Sequence, residues 1–273
     1  MTYRGISLFS GCGGLDLGFD RYDSILNSKN NKDKTFEIVW ANDIETKACK
    51  SYAENFGFEV YENAEEDKVN NKIFNGDVRN INFSTIFNSK NIDFITGGFP
   101  CQDFSMLRGK ESKRQGIKSK RGKLYLQFVR ALVELQPKIF IAENVKGLKS
   151  ANQGTAFQQI IDDFQNLNDN WSSIRVEIDS KVNKPDVLQD YQMVFADIVN
   201  FADYGVPQNR KRLIFIGIRK DLADQLNANS LQQIKDDLIE TVEEALEKKV
   251  ETKPKEEPKK KEKKRKEKEE RKD

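Results

Sequence analysis

The 273-residue chain contains no histidine. Without an imidazole, neither a Ser-His-Asp triad nor a Cys-His pair can form, and no histidine can ligate a metal ion. Any acid–base chemistry therefore depends on carboxylates, lysines, tyrosines, thiols or water.

Cysteine is almost as scarce, with only Cys12, Cys49 and Cys101 in the chain. Three scattered thiols cannot build a disulfide framework, and the absence of C-x-x-C spacing argues against a structural zinc site. No apolar run is long enough for a signal peptide or a membrane span. We therefore expect no metal, no membrane, and a reducing, cytoplasmic location.

Excess charge of one sign is also missing, since the net charge is only +2. That value averages unlike parts: residues 251–273 carry 12 basic and 8 acidic side chains, so the remaining 250 residues sum to −2. The tail has no apolar surface to bury and is expected to be a solvated, disordered segment.

What the chain does have is an alternation of short apolar runs with amphipathic segments. The runs at 4–10, 36–41, 92–98, 138–145 and 212–218 predict buried strands, and the segments at 44–57, 122–137 and 154–167 predict helices. This pattern predicts an α/β fold, a mostly parallel sheet with helices on both faces. We divide the chain into a catalytic domain (1–220), a helical extension (221–250) and the charged tail (251–273).

Ligands of such sheets bind at the carboxyl ends of the strands. The first strand runs into "LFSGCGGLDLGF" (8–19), a glycine-rich turn before a helix. Gly11, Gly13 and Gly14 would let the backbone approach a ligand, and Gly18 would allow close helix–strand packing. The loop lacks the G-K-[ST] ending of a phosphate-binding P-loop.

Acidic residues follow two further strands. In "WANDIETKA" (40–48), Asp43 is a candidate for the hydroxyls of a ribose, although Asn42 or Asp43 could instead cap the next helix with Glu45 behind it. Asp77 in "FNGDVRN" could meet an adenine amino group. Together the loops indicate an adenosine-type cofactor without phosphates.

A cysteine lies on the third loop, "GGFPCQDFSML" (97–107). A thiolate at a strand end, exposed to a ligand, is a strong nucleophile when cations lie nearby. Residues 106–123 provide eight Lys or Arg against one Glu. This run is either a solvated loop or the binding surface for a polyanion such as a nucleic-acid backbone.

The fourth loop, "AENVKGL" (142–148), places Glu143 at the end of a buried strand. It could be a capping carboxylate. A semi-buried glutamate can also donate a proton near neutral pH, so Glu143 is the leading acid candidate in a chain without histidine.

The ordered motifs "FSGCGG", "PCQDFS", "ENV" and "QNRKR" resemble those of the bacterial DNA cytosine-5 methyltransferases, over about residues 4–219. The resemblance implies a Rossmann-like methyltransferase fold, an S-adenosyl-L-methionine cofactor and a cytosine flipped out of double-stranded DNA. It implies that Cys101 attacks C6 of the ring while Glu143 hydrogen-bonds or protonates N3. C5 then accepts the methyl group. The resemblance also implies that the protein acts in a restriction–modification system.

The resemblance also implies roles for further residues. The catalytic set is Cys101, Gln102, Glu143, Arg210 and Arg212, with one of the two arginines near the base or a phosphate and the other structural. The cofactor contacts are Phe9, Gly11, Gly13, Gly14, Asp43, Ile44, Asp77, Val78, Pro100 and Leu124. The DNA contacts are Ser105, Arg108, Lys110, Lys113, Arg114, Lys118, Lys120, Arg121 and Gln208.

The chain departs from the family pattern after Arg219, where a long target-recognition region and later motifs are expected. About fifty residues follow, with one amphipathic helix predicted at 238–249. Two readings follow: a split enzyme whose second subunit carries the recognition region, or a truncated, non-catalytic remnant that binds cofactor or DNA. An RNA cytosine-5 methyltransferase is a third possibility.

Overall fold

The computed structural model describes residues 2–22, 35–64, 70–87, 91–100, 124–178, 180–182, 184–226 and 230. Cys101, Gln102, the basic run at 106–123, the helix predicted at 238–249 and the charged tail lie outside these residues. The predictions made for them therefore remain predictions.

The described residues form one eight-stranded sheet with helices packed on it. Its strands are β1 (Tyr3–Leu8), β2 (Phe36–Asp43), β3 (Glu59–Tyr61), β4 (Lys72–Asn75), β5 (Phe94–Gly97), β6 (Ile139–Val145), β7 (Tyr191–Asn200) and β8 (Lys211–Arg219). The helices are α1 (Leu17–Asp20), α2 (Thr46–Phe56), α3 (Phe83–Ile86), α4 (Tyr125–Leu135), α5 (Thr155–Gln165), α6 (Leu167–Glu177) and α7 (Lys220–Ala223). Short 3₁₀ segments span Val78–Asn80, Lys146–Gly154 and Phe201–Tyr204.

The strand order is β3-β4-β2-β1-β5-β6-β8-β7. The pairs from β3 to β6 are all parallel, whereas β8 runs antiparallel to both β6 and β7. The predicted mostly parallel sheet is thus confirmed, with an antiparallel edge. Strands β2 to β4 lie on one side of β1, and β5 and all later strands lie on the other side. The carboxyl ends of β1 and β5 therefore form the switch point at which such sheets bind ligands.

Helices cover both faces of the sheet. Neighbouring residues of a strand point to opposite faces, so their packing partners show which helices lie on each face. On β2, Trp40 packs into the main core, while Ala41 packs with Cys49 and Tyr52 of α2. On β8, Phe215 joins the main core, while Ile216 packs against the smaller cluster around Ala223 of α7. The prediction of helices on both faces is confirmed.

The main core is rich in aromatic side chains. Phe128 of α4, Phe140 of β6 and Phe164 of α5 contact one another with ring centroids 4.6 to 6.1 Å apart. Burial of each of these rings contributes about 1.5–3 kcal/mol, which fixes α4 and α5 on the sheet. Helix α4 ends before Pro137, as expected, with Gln136 in the left-handed conformation at its C-cap.

Candidate functional site

A cavity of about 520 Å³ opens at the carboxyl ends of β1, β2, β4 and β5. Its volume is in the range of a small-molecule site. The residues that line it are Phe9, Asn42, Asp43, Ile44, Gly76, Asp77, Val78, Arg79, Gly98, Pro100 and Leu124. Seven of the ten predicted cofactor contacts, taken from all four strand ends and the start of α4, are thus brought together.

The three predicted glycines of the first loop are not among the described residues that line this cavity. Gly11 and Gly13 have φ angles of 56° and 90°, a region that favours glycine. A Cβ on Gly13 would lie 2.1 Å from the ring of Phe56, so Gly13 is required for packing against α2. The prediction for Gly18 was wrong: a Cβ there would meet open space, because the close helix contact lies at Gly13.

Asp43 ties the first loop to the second. Its Oδ2 accepts a hydrogen bond from the Gly11 amide at 2.8 Å, and its Oδ1 accepts one from the Glu45 amide at 2.8 Å. The N-cap of α2 is Glu45 and not Asn42 or Asp43, so the capping alternative was assigned to the wrong residue. Because an ionised carboxylate offers about four acceptor positions, Asp43 keeps capacity for a ligand.

Asn42 is a residue of this site that the sequence reasoning treated only as a possible cap. Its side chain is 1% exposed, and Nδ2 donates to the carbonyls of Phe74 at 3.1 Å and Gly76 at 2.9 Å. The asparagine thereby fixes the turn that leads from β4 to Asp77. Its position directly before Asp43 was the only signal in the sequence.

Asp77 caps the 3₁₀ segment Val78–Asn80, since its Oδ1 accepts from the Arg79 amide at 2.9 Å. The Arg79 guanidinium also binds both carboxylate oxygens, with Nε 2.9 Å from each and Nη2 in a further contact with Oδ2. These hydrogen bonds from Arg79 hold the pKa of Asp77 below its ordinary value. Asp77 is therefore an anion paired with a neighbouring cation.

A second polar group adjoins the cavity at the end of β6. Glu143 lies in an ion pair with Arg212, whose Nε is 2.6 Å from Oε1, while Nη2 of Arg210 is 3.7 Å from the same oxygen. The antiparallel register explains the first contact: Arg212 pairs with Val145, so Glu143 is its diagonal neighbour on one face. The structure thus brings together three of the five predicted catalytic residues.

Gly98 joins the two parts of the site. It lines the cavity, and a Cβ at this position would lie 3.2 Å from Oε2 of Glu143. The absence of a side chain at Gly98 therefore lets the Glu143 carboxyl approach the wall of the cavity. At the preceding Gly97, a Cβ would lie 2.7 Å from the carbonyl oxygen of Leu8, so this glycine is required for the packing of β5 against β1.

Asn144 holds the loop that leads to Cys101. Its side chain is 2% exposed, and Nδ2 donates to the Phe99 carbonyl at 3.1 Å. Sequence reasoning quoted this residue within "ENV" but assigned it no role. Phe99 is followed by Pro100, which lines the cavity, and then by Cys101, so Asn144 anchors the backbone two residues before the predicted nucleophile.

The other cysteines differ in accessibility. Cys49 of α2 is fully buried, and burial raises the pKa of its thiol to about 12, which makes it a poor nucleophile at neutral pH. Cys12 is exposed in the glycine-rich loop.

The predicted DNA contact Gln208 is exposed in the turn before β8, where its backbone amide donates a hydrogen bond to the Val206 carbonyl.

A family model for C-5 cytosine-specific DNA methylases matches residues 3–273. The chain belongs to the C-5 cytosine-specific DNA methylase family. The predicted family is thereby confirmed, and residues of the "FSGCGG", "ENV" and "QNRKR" segments lie at the cavity or beside it.

Individual relatives agree with this assignment. The DNA (cytosine-5-)-methyltransferase M.ApeKI of Aeropyrum pernix is 44% identical over 224 residues, which cover 81% of this chain and 45% of the relative. The type II methyltransferase M.NgoFVII of Neisseria gonorrhoeae is 39% identical over 79% of this chain and 44% of its own length. The chain thus spans less than half the length of these two relatives.

A solved structure of a DNA modification methyltransferase encoded within an E. coli prophage matches with a TM-score of 0.54 and 27% identity. The match covers 81% of this chain and 48% of that protein, and it confirms the predicted methyltransferase fold. Among the described helices of the chain, none is both long and apolar enough to cross a membrane.

Proposed function

We propose that the chain is the catalytic part of a DNA cytosine-5 methyltransferase that uses S-adenosyl-L-methionine and acts in a restriction–modification system. The observation that carries the proposal is the shared wall at Gly98, where a nucleoside-sized cavity meets the Glu143–Arg212 pair. A methyl donor and an acid for the target base are needed side by side, and this arrangement provides both positions.

The cavity fits an adenosine-type cofactor. Carboxylates from two strand ends, Asp43 and Asp77, provide acceptors for hydroxyl and amino groups, and the remaining wall is largely apolar, with Phe9, Ile44 and Val78 on it. Arg79 is the only cation among its described lining residues and is paired with Asp77, so the cavity offers no cradle for phosphates. When bound, the cofactor supplies an electrophilic methyl group.

The chain's own residues would act on the base. Cys101, two residues after the anchored Phe99 carbonyl, would attack C6 of a flipped cytosine, and Glu143 would hydrogen-bond or protonate N3. Arg212 holds the Glu143 carboxyl in place, and Arg210, which is more exposed, would reach the base or a phosphate. Loss of the C5 proton would then free the Cys101 thiolate.

The basic run at 106–123 would bind the DNA backbone. Substituting Arg108, Lys110, Lys113 and Arg114 by glutamine should flatten the salt dependence of DNA binding by about one unit of slope for each lost phosphate contact. An unchanged slope would reduce this run to a solvated loop.

Sequence recognition is proposed to need the part of these relatives that lies outside the matched region, supplied in the same chain or by a second polypeptide, since the match covers less than half of each relative. The test uses duplex DNA in which the target cytosine is 5-fluorocytosine. Its fluorine replaces the C5 hydrogen that must be lost as a proton, so the thiolate is not eliminated and the enzyme stays covalently bound to the base. The protein is incubated with cofactor, alone and with the part of M.ApeKI outside the matched region. We expect a covalent adduct that disappears in Cys101→Ser.

Cofactor binding is measured separately by calorimetry with S-adenosylhomocysteine, the product of methyl transfer. If S-adenosylhomocysteine binds but no adduct forms, either with or without the M.ApeKI part, the chain is a cofactor-binding remnant and the catalytic proposal is refuted. An adduct formed equally by Cys101→Ser would refute the assigned nucleophile.

A further inference from the structure

Arg79 lies in the cofactor cavity and in the segment "FNGDVRN" that predicted Asp77, but the sequence reasoning assigned it no role. Its amide and guanidinium occupy Asp77 through four contacts: the backbone amide and Nε on Oδ1, and Nε and Nη2 on Oδ2. A carboxylate offers about four acceptor positions in all. The acceptor proposed for the adenine amino group is therefore fully used by a neighbouring residue.

The contrast with Asp43 shows that this saturation is specific. Asp43 lines the same cavity and accepts one backbone hydrogen bond on each oxygen, which leaves positions for ligand hydroxyls. At Asp77, by comparison, an amino group must displace part of the guanidinium before it can bind.

The surroundings of Arg79 permit such a displacement. Its side chain is 60% exposed, and it also lines a second cavity of about 280 Å³. When the cofactor leaves, the hydrogen bonds to the Asp77 carboxylate favour the return of the Arg79 guanidinium.

We propose that Arg79 is a specificity-determining residue of the cofactor site. Its guanidinium binds the Asp77 carboxylate in the free protein and is displaced by a ligand with an exocyclic amino group. The proposal rests on the cofactor assignment made above. A purine with a 6-oxo group, an acceptor, would instead interact with Arg79 and be repelled by Asp77. The pair thus sets both the affinity for adenosine and its selection over inosine.

The test compares Arg79→Ala with the wild type in full-length protein by calorimetry, using S-adenosylhomocysteine and S-inosylhomocysteine as ligands. Exposed ion pairs are weak, so the variant should bind the adenosine ligand roughly two- to fivefold more tightly. It should bind the inosine ligand more weakly. In the wild type, added salt should tighten binding of the adenosine ligand by screening the pair, and this effect should vanish in the variant.

Lys149→Ala is the matched control, because Lys149 forms an exposed ion pair with Asp197 and does not line either cavity among the described residues. Its affinities should equal those of the wild type. In an Asp77→Asn background, the gain from Arg79→Ala should be lost.

Unchanged or weaker binding of the adenosine ligand by Arg79→Ala would overturn the role of Arg79 while leaving the cofactor assignment intact. No binding of that ligand by either protein would overturn both.

Discussion

Asn144 donates a hydrogen bond from Nδ2 to the carbonyl oxygen of Phe99 at 3.1 Å, and both residues are almost fully buried. The bond connects the end of β6, which carries Glu143, to the end of β5, which leads to Cys101. One side chain thus joins the strand that carries the proposed acid to the strand that leads to the proposed nucleophile. We infer that Asn144 is a positioning residue for both.

The substitution Asn144→Ala removes the donor to Phe99 and leaves its buried carbonyl without this partner. We expect a loss of about 1–3 kcal/mol in the free energy of unfolding. Trapping on 5-fluorocytosine DNA should slow by about a hundredfold, because the cysteine is displaced from its attack position. Asn144→Asp retains the acceptor for the Val145 amide but not the donor, so it should show the same slow trapping. Normal trapping by both variants would contradict the positioning role.

Asp43→Asn keeps an oxygen for the Gly11 amide and removes the charge offered to the ligand. Hydrogen bonds to charged groups are stronger than neutral ones, so affinity for S-adenosylhomocysteine should fall by about ten- to a hundredfold. Titration calorimetry measures this directly. Asp197→Asn, which alters an exposed carboxylate paired with Lys149, is the control and should leave the affinity unchanged. Equal affinities of the two variants would remove Asp43 from the cofactor site.

The two arginines beside Glu143 should differ in effect. Arg212 lies 2.6 Å from the carboxylate and Arg210 lies 3.7 Å away, so Arg212→Lys should slow trapping more than Arg210→Lys. Glu143→Gln should slow it most, by about 10²- to 10⁴-fold, if it acts as the acid. All three should bind the cofactor product normally. A larger defect in Arg210→Lys would show that the closer pair is not the one that orients Glu143.

Asp16 should make stability fall with rising pH. Its carboxyl is buried at the end of the glycine-rich segment, accepts from Thr96 Oγ1 at 2.9 Å, and faces the hydroxyls of Ser7 and Tyr52. Burial raises its pKa above the ordinary value of 3.8, so the native protein holds this proton over a range in which the unfolded chain has lost it. Stability is therefore lost as the pH rises from about 3.8 to the native pKa, by up to about 1.4 kcal/mol per pH unit.

Denaturant unfolding at a series of pH values tests this. Asp16→Asn removes the titration and keeps a side chain that can hydrogen-bond, so its stability relative to the wild type should increase with pH across that window. A constant difference between Asp16→Asn and the wild type would mean that the Asp16 carboxyl does not titrate in this range.

Strand order explains why much of the site was predictable. Asp43 ends β2 and Asp77 follows β4, and the carboxyl ends of parallel strands meet at one edge, so two distant carboxylates could be assigned to one cavity. Glu143 was predicted in the same way, whereas Pro100 was predicted only from the family resemblance. The apolar runs also marked β1, β5, β6 and β8 to within a few residues.

The missed features depend on register and direction, which apolar periodicity does not report. The antiparallel course of β8 brings Arg212 diagonally across from Glu143. Strand β7 was not predicted, since only Tyr191 and Val194 of its ten residues are buried and no regular alternation results. Arg79, Asn42 and Asn144 act through contacts with backbone or neighbouring side chains that become visible only once the loops are placed.

The glycine at position 98 has a thermodynamic consequence for the proposed enzyme. One backbone segment forms the wall of the cofactor cavity and the floor beneath the Glu143 carboxyl, so a ligand on either side acts on the same few atoms. Linkage then requires reciprocity: whatever factor the cofactor product adds to the affinity for a flipped base, the base adds to the affinity for the product. Binding of the two products would therefore be coupled through the backbone at Gly98.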